Sequence, residues 1–505
     1  MPPSKKNAMK KTYRHIIYSL VLLGICTQFG CKDFLDLTPL DQLTADNFYK
    51  TESDATNAIL SVYSPMQDVE WTGKGWMITE VPSDNSAPGG TDPDFVPIDN
   101  FTLNADNPPV ANFWAIHYRQ VTLANVFISK ANGMELDAEL KNAFIGEARF
   151  LRALAYFDLV RVYGGVPLIT DPPVYGEDLL FPRSPVKDVY SLIQEDFEFA
   201  ASHLPEQWIG ANKGRADRYA ALAYLSKVHL TNRRYLEAKL TAQQIIQSGR
   251  YRLMEDYGEN FYLETSDNND ESIFQVQFAG CGPFGTGNAM QAFFAPWGEG
   301  ITKDRDGWGS HIPTGPILNN PGTTMLDAFE PGDLRRRHTI MTPKAHYPEI
   351  NAADGGYTYP SQGASASLIN IKKYVVGSGQ NICFMSTPQN AHLIRYADVL
   401  LMYAEAQVFI DGGRTSESTA TEAFNSVRVR AGLESKEEVN VEDIDHERRA
   451  ELAFEGHRWF DLIRRGNAVE VMALHGKKML PHNALFPIPA AELEVNPKLE
   501  QNPGY

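Results

Sequence analysis

The chain has 505 residues, 43% of them hydrophobic, and carries a formal net charge of −17. This length and composition predict a globular protein with a large core, built as one big domain or several ordinary ones. The acidic balance, and the lack of a Lys/Arg-rich run after the N-terminus, argue against a nucleic-acid partner.

The N-terminus predicts export from the cytoplasm. A basic segment precedes an apolar segment at 16–25, which is too short and too interrupted to span a bilayer. Gly30 directly before Cys31, and the polar residues after it, fit a lipoprotein cleavage site, although Gln28 and Phe29 depart from the usual pattern. We interpret 1–30 as a lipoprotein signal peptide, Cys31 as the lipidation site and 31–41 as a tether. A plain secretory peptide cleaved nearby is the alternative.

Loss of the signal peptide changes the charge of the mature chain. Cleavage before Cys31 removes five positively charged residues, Lys5, Lys6, Lys10, Lys11 and Arg14, and no acidic residue. The mature chain is therefore more acidic, and this favours neutral ligands over sulfated or uronic polymers.

The remaining sequence shows no cofactor or metal motif. Cys281 and Cys383 could pair in an oxidising compartment, but nothing in the sequence places them together. No C-x-x-C pair indicates zinc or redox chemistry. The segment 280–285 fits G-x-G-x-x-G, but Gly287-Asn288 interrupts the helix that a dinucleotide site needs.

Periodic apolar residues predict helices along most of the chain. The pair at 215–230 and 234–248 has small residues where two helices approach, which is typical of a tetratricopeptide unit. We therefore predict a mainly α fold, with tetratricopeptide-like helix pairs, long irregular loops and a few short strands. The predicted helices are 48–63, 111–131, 138–162, 185–204, 215–230, 234–248, 324–329, 392–410, 418–431 and 441–465, and the predicted strands are 272–278 and 372–376.

The last of these helices carries charges that we expect on the surface. Glu455 and Arg458 are three residues apart, as are Asp461 and Arg464. His446-Glu447 does not make a zinc-protease motif, because Ala450 stands where the second histidine is required.

Two Gly/Pro-rich segments, 67–109 and 278–313, carry many aromatic residues although irregular loops are normally polar. Such a loop either folds onto its own small core or presents flat rings to a ligand. We predict these two segments as the ligand-binding loops.

Several blocks of the sequence resemble the SusD/RagB family of outer-membrane glycan-binding lipoproteins of Bacteroidetes. The matching blocks are C-K-D-F-L-D-L-T-P from Cys31, E-A-R-F-L-R-A-L-A-Y-F-D-L-V-R-V-Y-G-G-V-P-L from Glu147, R-Y-A-D-V-L-L-M-Y-A-E-A from Arg395, E-R-R-A-E-L-A-F-E-G-H-R-W-F-D-L-I-R-R-G from Glu447, and the ending L-F-P-I-P with Q-N-P-G-Y. The resemblance runs over essentially the whole mature chain.

The resemblance implies a fold and a role. The expected fold is a single SusD-like domain over 42–505. The protein is expected to be lipid-anchored in the outer membrane facing the cell exterior, and to bind glycan without catalysis. By the same resemblance, it sits as a lid on a TonB-dependent transporter and passes oligosaccharides to it.

Ligand contacts do not transfer from the resemblance, since the family's binding loops vary, so we predict them from chemistry. Aromatic rings suit the apolar face of a sugar, and polar side chains suit its hydroxyl rim. Predicted stacking residues are Trp71, Trp76, Trp297, Trp308, Phe293 and Phe294; predicted hydrogen-bonding residues are Asp84, Asn85, Asp94 and Asp304.

Two other functional classes remain open from the sequence. A helical repeat often binds peptides, so a peptide-binding or protein-binding lipoprotein is one alternative. A lipid-anchored glycoside hydrolase is less favoured; it requires two carboxylates across a sugar, and no acidic residue is singled out by its surroundings.

Overall fold

The structure is a computed structural model, and it describes residues 49–88, 93–174, 176, 179–281, 287–295, 301, 325–359, 369–379, 381–383 and 385–505. The predicted signal peptide, the predicted lipidation site Cys31 and the predicted tether lie outside the described residues. Contact patterns separate Met1–Lys50 from Thr51–Tyr505, and the fold described here is that of the second unit.

The described chain is mainly helical, which confirms the predicted fold class. Its helices are α1 (Glu52–Tyr63), α2 (Gly73–Glu80), α3 (Val96–Asp99), α4 (Pro108–Asn132), α5 (Ala138–Tyr163), α6 (Val186–His203), α7 (Arg218–Thr231), α8 (Tyr235–Gln247), α9 (Met290–Phe294), α10 (Arg336–Thr339), α11 (Tyr396–Ile410), α12 (Ser418–Arg430), α13 (Val441–Glu451), α14 (Arg458–Arg465), α15 (Ala468–Leu474) and α16 (Ala490–Val495). Within the described residues, no helix has the length and apolar character needed to cross a bilayer.

The long helices pack in sequence order, as expected for a helix-pair scaffold. Helices α4 to α8 each contact the next, and α8 then packs against α11. Close approach is possible because Ala220, Ala223 and Ala238 on α7 and α8 are fully buried. Side-chain caps fix where the helices begin: Asn107 accepts from the backbone of α4, and Asp137 does the same for α5.

The strands form only two-stranded antiparallel sheets. They are β1 (Ser272–Val276), β2 (Ile340–Met341), β3 (His346–Tyr347), β4 (Tyr357–Thr358), β5 (Asn370–Ile371), β6 (Ala391–Arg395), β7 (Arg414–Thr415) and β8 (Val439–Asn440). The pairs are β1 with β6, β2 with β5, β3 with β4, and β7 with β8. Because Val276 pairs with Ala391, the β1–β6 pair places the start of the 278–313 segment beside the start of β6.

Several predicted boundaries are wrong. The segment 67–109 is not one irregular loop, because it contains α2 and α3. Strand β6 occupies the beginning of the predicted helix 392–410, and 372–376 is a turn after β5 rather than a strand. The predicted helix 441–465 is two helices, since the chain leaves the helical conformation at Phe454 and Gly456, which have φ of 64° and 74°.

The charges of the 441–465 segment are buried rather than exposed. Glu455 binds Arg395 at 2.8 Å and Lys373 at 2.7 Å instead of meeting Arg458 on one helix face. Asp461 does pair with Arg464, at 2.8 Å, but both side chains are only 9% exposed. The predicted surface pairs are therefore part of an interior network, because the break between α13 and α14 turns this segment inward.

Buried ion pairs connect elements that are far apart in sequence. Arg335 before α10 binds Glu447 on α13 at 2.6 Å, and Arg395 at the end of β6 binds Glu271 and Glu451. Arg430 at the end of α12 adds a contact to Glu451 at 2.6 Å. Buried pairs of this kind add little net stability compared with apolar packing, but losing one partner is costly, so they specify which elements meet.

Candidate ligand-binding site

The structure brings the two aromatic segments into contact. The edge-to-face rings of Trp76 on α2 and Phe294 on α9 have centroids 4.4 Å apart. A Cβ atom at Gly73 would lie 2.7 Å from the ring of Phe293, so only glycine permits this approach. The described parts of the segments 67–109 and 278–313 therefore meet in the folded protein, although they are far apart in sequence.

A third segment, 349–390, holds the 278–313 segment in place. Cys281 and Cys383 form a disulfide with their Cα atoms 5.8 Å apart, a pairing that the sequence had left open. The Gln291 side chain accepts from the backbone N–H groups of Val376 and Gly377 and donates to the carbonyl of Gly377 at 2.8 Å. These contacts fix the base of a segment whose sequence alone favours no regular structure.

Asn351 extends this support further along the aromatic segment. Its amide donates to the carbonyl of Ile301 at 3.0 Å, and its carbonyl oxygen accepts from the backbone of Ser378 at 2.6 Å. Asn351 has φ of 55°, a left-handed conformation that asparagine tolerates better than most residues.

An open cleft of about 450 Å³ lies beside Asn351. Tyr262 and Ile382 supply apolar surface, while Asn351 and Ser378 supply amide and hydroxyl groups. The Lys372 ammonium lies 4.9 Å from the centre of the Tyr262 ring and 2.9 Å from Glu349. Burial acts to raise the pKa of Glu349, but Lys372 holds that pKa below its ordinary value. The cleft is amphipathic, as a surface for sugars should be.

The sequence analysis missed Tyr262 and this cleft. Tyr262 follows the short 3-10 turn Tyr257–Asn260 and lies outside both predicted binding segments. The sequence signal for this site was a tyrosine within a polar connecting segment. The cleft itself becomes visible only when residues of 349–354 and 375–382 pack around Tyr262.

Trp71 is 8% exposed and lines a small cavity of about 100 Å³ between α2 and the helical scaffold. Its ring stacks with His117 at a centroid distance of 5.7 Å, and its indole N–H has no hydrogen-bond partner among the described residues. Because ligand pockets usually measure about 300–1,000 Å³, this cavity is too small for an oligosaccharide.

Trp76, Phe293 and Phe294 support the site from beneath. Trp76 is 8% exposed and donates from Nε1 to the carbonyl of Phe454 at 2.6 Å. Phe293 and Phe294 are 2% and 1% exposed, so protein covers their ring faces. The expectation of stacking by these two phenylalanines is corrected accordingly: their burial makes them packing residues.

Asp84 and Asn85 are also interior residues. Arg458 binds Asp84 through two nitrogens, at 2.7 and 2.9 Å, and Arg449 donates to the Asn85 side chain at 2.9 Å. Burial acts to raise the pKa of Asp84, but Arg449 and Arg458 hold it well below its ordinary value. Both side chains already have their hydrogen bonds satisfied, so their assignment as sugar ligands is corrected to a structural one.

Of the remaining predicted ligand contacts, one lies within the described residues and three lie outside them. Asp94 is half-buried, and its backbone carbonyl accepts from Asn107 at 2.8 Å. Trp297, Trp308 and Asp304 lie outside the described residues. Among the residues that are described, no group of His, Cys, Asp and Glu side chains is arranged to hold a metal ion.

A buried carboxyl near the site has a raised pKa but is unsuited to catalysis. Burial raises the pKa of Glu80 to about 7, in the range of a general acid. However, Glu80 is 0% exposed, and its oxygens accept from Asn85 at 3.1 Å and from the backbone of Gly456 at 3.2 Å. A substrate has no access to it in this structure.

Comparison with known proteins identifies the family. One family model, described as the SusD family, matches residues 270–505, and another, described as starch-binding associating with outer membrane, matches residues 33–230. A SusD-like protein of Bacteroides ovatus is 30% identical over 391 residues, which cover 74% of this chain and 68% of the relative. The chain belongs to the SusD family.

Solved structures of SusD-like proteins match the fold. A laminarin-binding SusD-like protein is 28% identical, with a TM-score of 0.75, and the match covers 90% of this chain and all of that chain. Surface glycan-binding protein A from Bacteroides fluxus is 26% identical, with the same TM-score and coverage. The family resemblance noted from the sequence blocks is thereby confirmed, and the family is one described as associating with the outer membrane.

Proposed function

We propose that this SusD-family protein is a surface glycan-binding lipoprotein of the outer membrane. It captures an oligosaccharide or polysaccharide, with neutral glycans favoured, and delivers it to a TonB-dependent transporter without chemical change. Acylation of Cys31 holds it on the outer face of the membrane.

The observation that carries the proposal is the convergence of the two aromatic segments beside an open amphipathic cleft. Trp71 and Trp76 lie in one segment, and the described base of the other packs directly on it through Phe294. Solved relatives support the ligand class, because one of matching fold is a laminarin-binding protein and another a surface glycan-binding protein.

The proposed contact set combines residues predicted from the sequence with the geometry of the described residues. Trp297 and Trp308 are the principal stacking residues, Trp71 contributes its edge, and Tyr262 adds a ring in the cleft. Asp94 and Asp304 are the proposed hydrogen-bonding residues. Trp76, Phe293, Phe294, Asp84 and Asn85 hold the site in shape from within.

Affinity electrophoresis tests the proposal. The soluble protein starting at Lys32 is run in gels containing laminarin, xylan, mannan, starch or alginate, beside Trp297→Ala, Trp308→Ala and Tyr262→Ala. We expect one neutral glycan to retard the wild type, and at least one variant to bind it about tenfold more weakly, since about 1.4 kcal/mol of lost stacking has that effect. The variant Arg414→Ala, which removes an arginine with a side chain 73% exposed and paired with Glu438, is the control and should run as wild type.

The outcome also separates the alternatives. Retardation that survives all three substitutions would contradict the proposed contact set. No retardation by any polysaccharide would favour the peptide-binding alternative. Steady release of reducing sugars, abolished by replacing a single acidic residue, would contradict binding without catalysis and favour the glycoside hydrolase.

A further inference from the structure

A second pocket, of about 210 Å³, lies next to the beginning of the 278–313 segment. It is formed by the connection between α6 and α7 together with residues 250–251 and 268–273. Gly214 on its wall packs so closely on Gln277 that a Cβ atom would lie 2.5 Å from the Gln277 side chain. Gln277 in turn accepts from the amide of Asn268 at 2.8 Å. The pocket therefore adjoins the start of the 278–313 segment, and none of its lining residues belongs to the proposed contact set.

Trp208 forms an aromatic wall of this pocket and is held in one orientation. Its Nε1 donates to the carbonyl of Ala216 at 2.8 Å, and the guanidinium of Arg215 lies 4.1 Å from the ring centre. Arg215 is itself fixed by Glu147, a fully buried partner. The half-buried ring lines the pocket. Because its orientation is already fixed, binding a ligand costs little side-chain entropy at Trp208.

Asp217 supplies an acceptor that is buried and incompletely used. The residue is 8% exposed, and its Oδ1 caps α7 by accepting from Tyr219 at 3.0 Å and Ala220 at 2.9 Å. Its other oxygen, Oδ2, makes no hydrogen bond within the part of the chain that the structure describes. Burial raises the pKa of Asp217 to about 6, which shows that its surroundings compensate this carboxylate poorly. Oδ2 is not itself enclosed, so this acceptor is open to a ligand hydroxyl or to solvent in the pocket.

Hydrogen-bond donors also line the pocket. Arg250 donates from Nη1 to Gln207 at 3.0 Å, while its Nε has no partner among the described residues. Lys213 is exposed and forms no ion pair in the described part of the chain. The pocket therefore offers acceptors from Asp217 and donors from Arg250 and Lys213 around one aromatic ring.

This combination selects the class of ligand. Side chains of both charge signs line the pocket, so it is not built for an ion of one sign. A sugar hydroxyl both donates and accepts, so neighbouring hydroxyls can satisfy both sides while the ring packs against Trp208. The volume is sufficient, because a cavity of about 150 Å³ accepts a six-membered ring such as benzene.

We propose that the pocket lined by Trp208, Asp217 and Arg250 is a second carbohydrate-binding site, which takes one pyranose unit of a neutral glycan. The proposal rests on the proposed function and extends it: a polysaccharide held at the aromatic segments gains a second point of attachment on the same protein. Two attachment points raise the overall avidity without improving either contact.

Crystals soaked with methyl β-D-glucopyranoside, and separately with methyl α-D-mannopyranoside, test the pocket directly. We expect a sugar ring against Trp208, with hydroxyls on Asp217 Oδ2 and Arg250, and no such density in Asp217→Asn. Asparagine retains the N-cap acceptor of α7 but not the charge, so this variant should fold. No sugar in the wild-type pocket from either soak would overturn the proposal.

Affinity electrophoresis in laminarin, xylan, mannan and starch gels supplies the second measurement. Asp217→Asn and Arg250→Gln should each weaken retardation about threefold to tenfold, while the control Arg414→Ala leaves it unchanged. Sugar in the crystal with retardation unchanged in both variants would mean binding at crystal concentration only, and would also overturn the proposal.

The two measurements separate this pocket from the main site. If none of the gels retards the wild type, the proposed function fails for those glycans, and the soaks alone then decide the pocket. If Trp308→Ala abolishes retardation while Asp217→Asn has no effect, the main site stands and the second site does not.

Discussion

Glu80 is a carboxyl group on α2 with no exposed surface, and burial raises its pKa from 4.5 to about 7. The folded protein therefore binds this proton more tightly than the unfolded chain does. Below about pH 4.5 both states are protonated and the contribution to stability is complete. As the pH rises to about 7 the unfolded state loses its proton first, so that contribution is lost.

Replacing Glu80 by Gln removes this dependence on pH. We expect the variant to gain stability relative to wild type between pH 5 and pH 8, by an amount on the order of 3 kcal/mol. At pH 5 it should be no more stable than wild type, because glutamine has only one oxygen for the two donors Asn85 and Gly456. Thermal unfolding of both proteins across this range measures the difference. A constant difference would contradict the raised pKa.

At the scale of elements, the break between α13 and α14 positions the site. It directs the carbonyl of Phe454 onto Trp76 at 2.6 Å and the backbone N–H of Gly456 onto Glu80 at 3.2 Å. Both contacts hold α2, which carries one of the two aromatic segments. The break depends on Gly456, because its φ of 74° would strain any other residue at this position.

Gly456→Ala should destabilise the protein by about 1–2 kcal/mol, since a left-handed conformation costs other residues that much. The new Cβ atom would also lie 3.1 Å from the Thr79 hydroxyl. Gly133 is the matched control, because it follows a helix with φ of −86° and its Cβ atom would meet only a carbonyl at 3.5 Å. Gly133→Ala should be neutral or stabilising in denaturant unfolding. Equal effects from the two substitutions would show that backbone strain is not responsible.

The Cys281–Cys383 disulfide acts on the other aromatic segment. It closes a loop between residues 102 apart in sequence, and removing it should cost about 2–4 kcal/mol. We expect the double variant Cys281→Ser, Cys383→Ser to unfold at lower temperature and to be retarded less by the preferred glycan. If melting falls while retardation is unchanged, the disulfide stabilises the fold without shaping the site.

The long helices were predictable because each buries a regular apolar face, and helices α4 to α8 begin and end within a few residues of the predicted positions. The break at Phe454 could not be predicted from the sequence, because R-R-A-E-L-A-F-E-G-H-R-W-F continues a helical pattern. The break between α13 and α14 is stabilised by tertiary contacts to α2. Tertiary contacts also explain why the ligand residues were predicted incorrectly. Asp84 and Phe294 have the chemistry of ligand residues, but partners hundreds of residues away, such as Arg458, make them interior.

At the scale of the whole molecule, attachment to the membrane is a separate prediction. Cys31→Ser should leave the protein unacylated and move it from the membrane fraction to the soluble fraction, because the proposed anchor is the acyl group alone. Fractionation and surface protease digestion measure this, and Cys26→Ser is the matched control that should remain membrane-bound. Retention of Cys31→Ser in the membrane would contradict the assigned lipidation site.

The contacts between α2 and the 454–458 segment also set the order in which the protein can be completed during synthesis. Trp76, Glu80 and Asp84 all depend on partners between 374 and 378 residues further along the chain. These three contacts therefore form only once about nine-tenths of the chain is present. A chain terminated before Val441 lacks the partners of its own first binding segment.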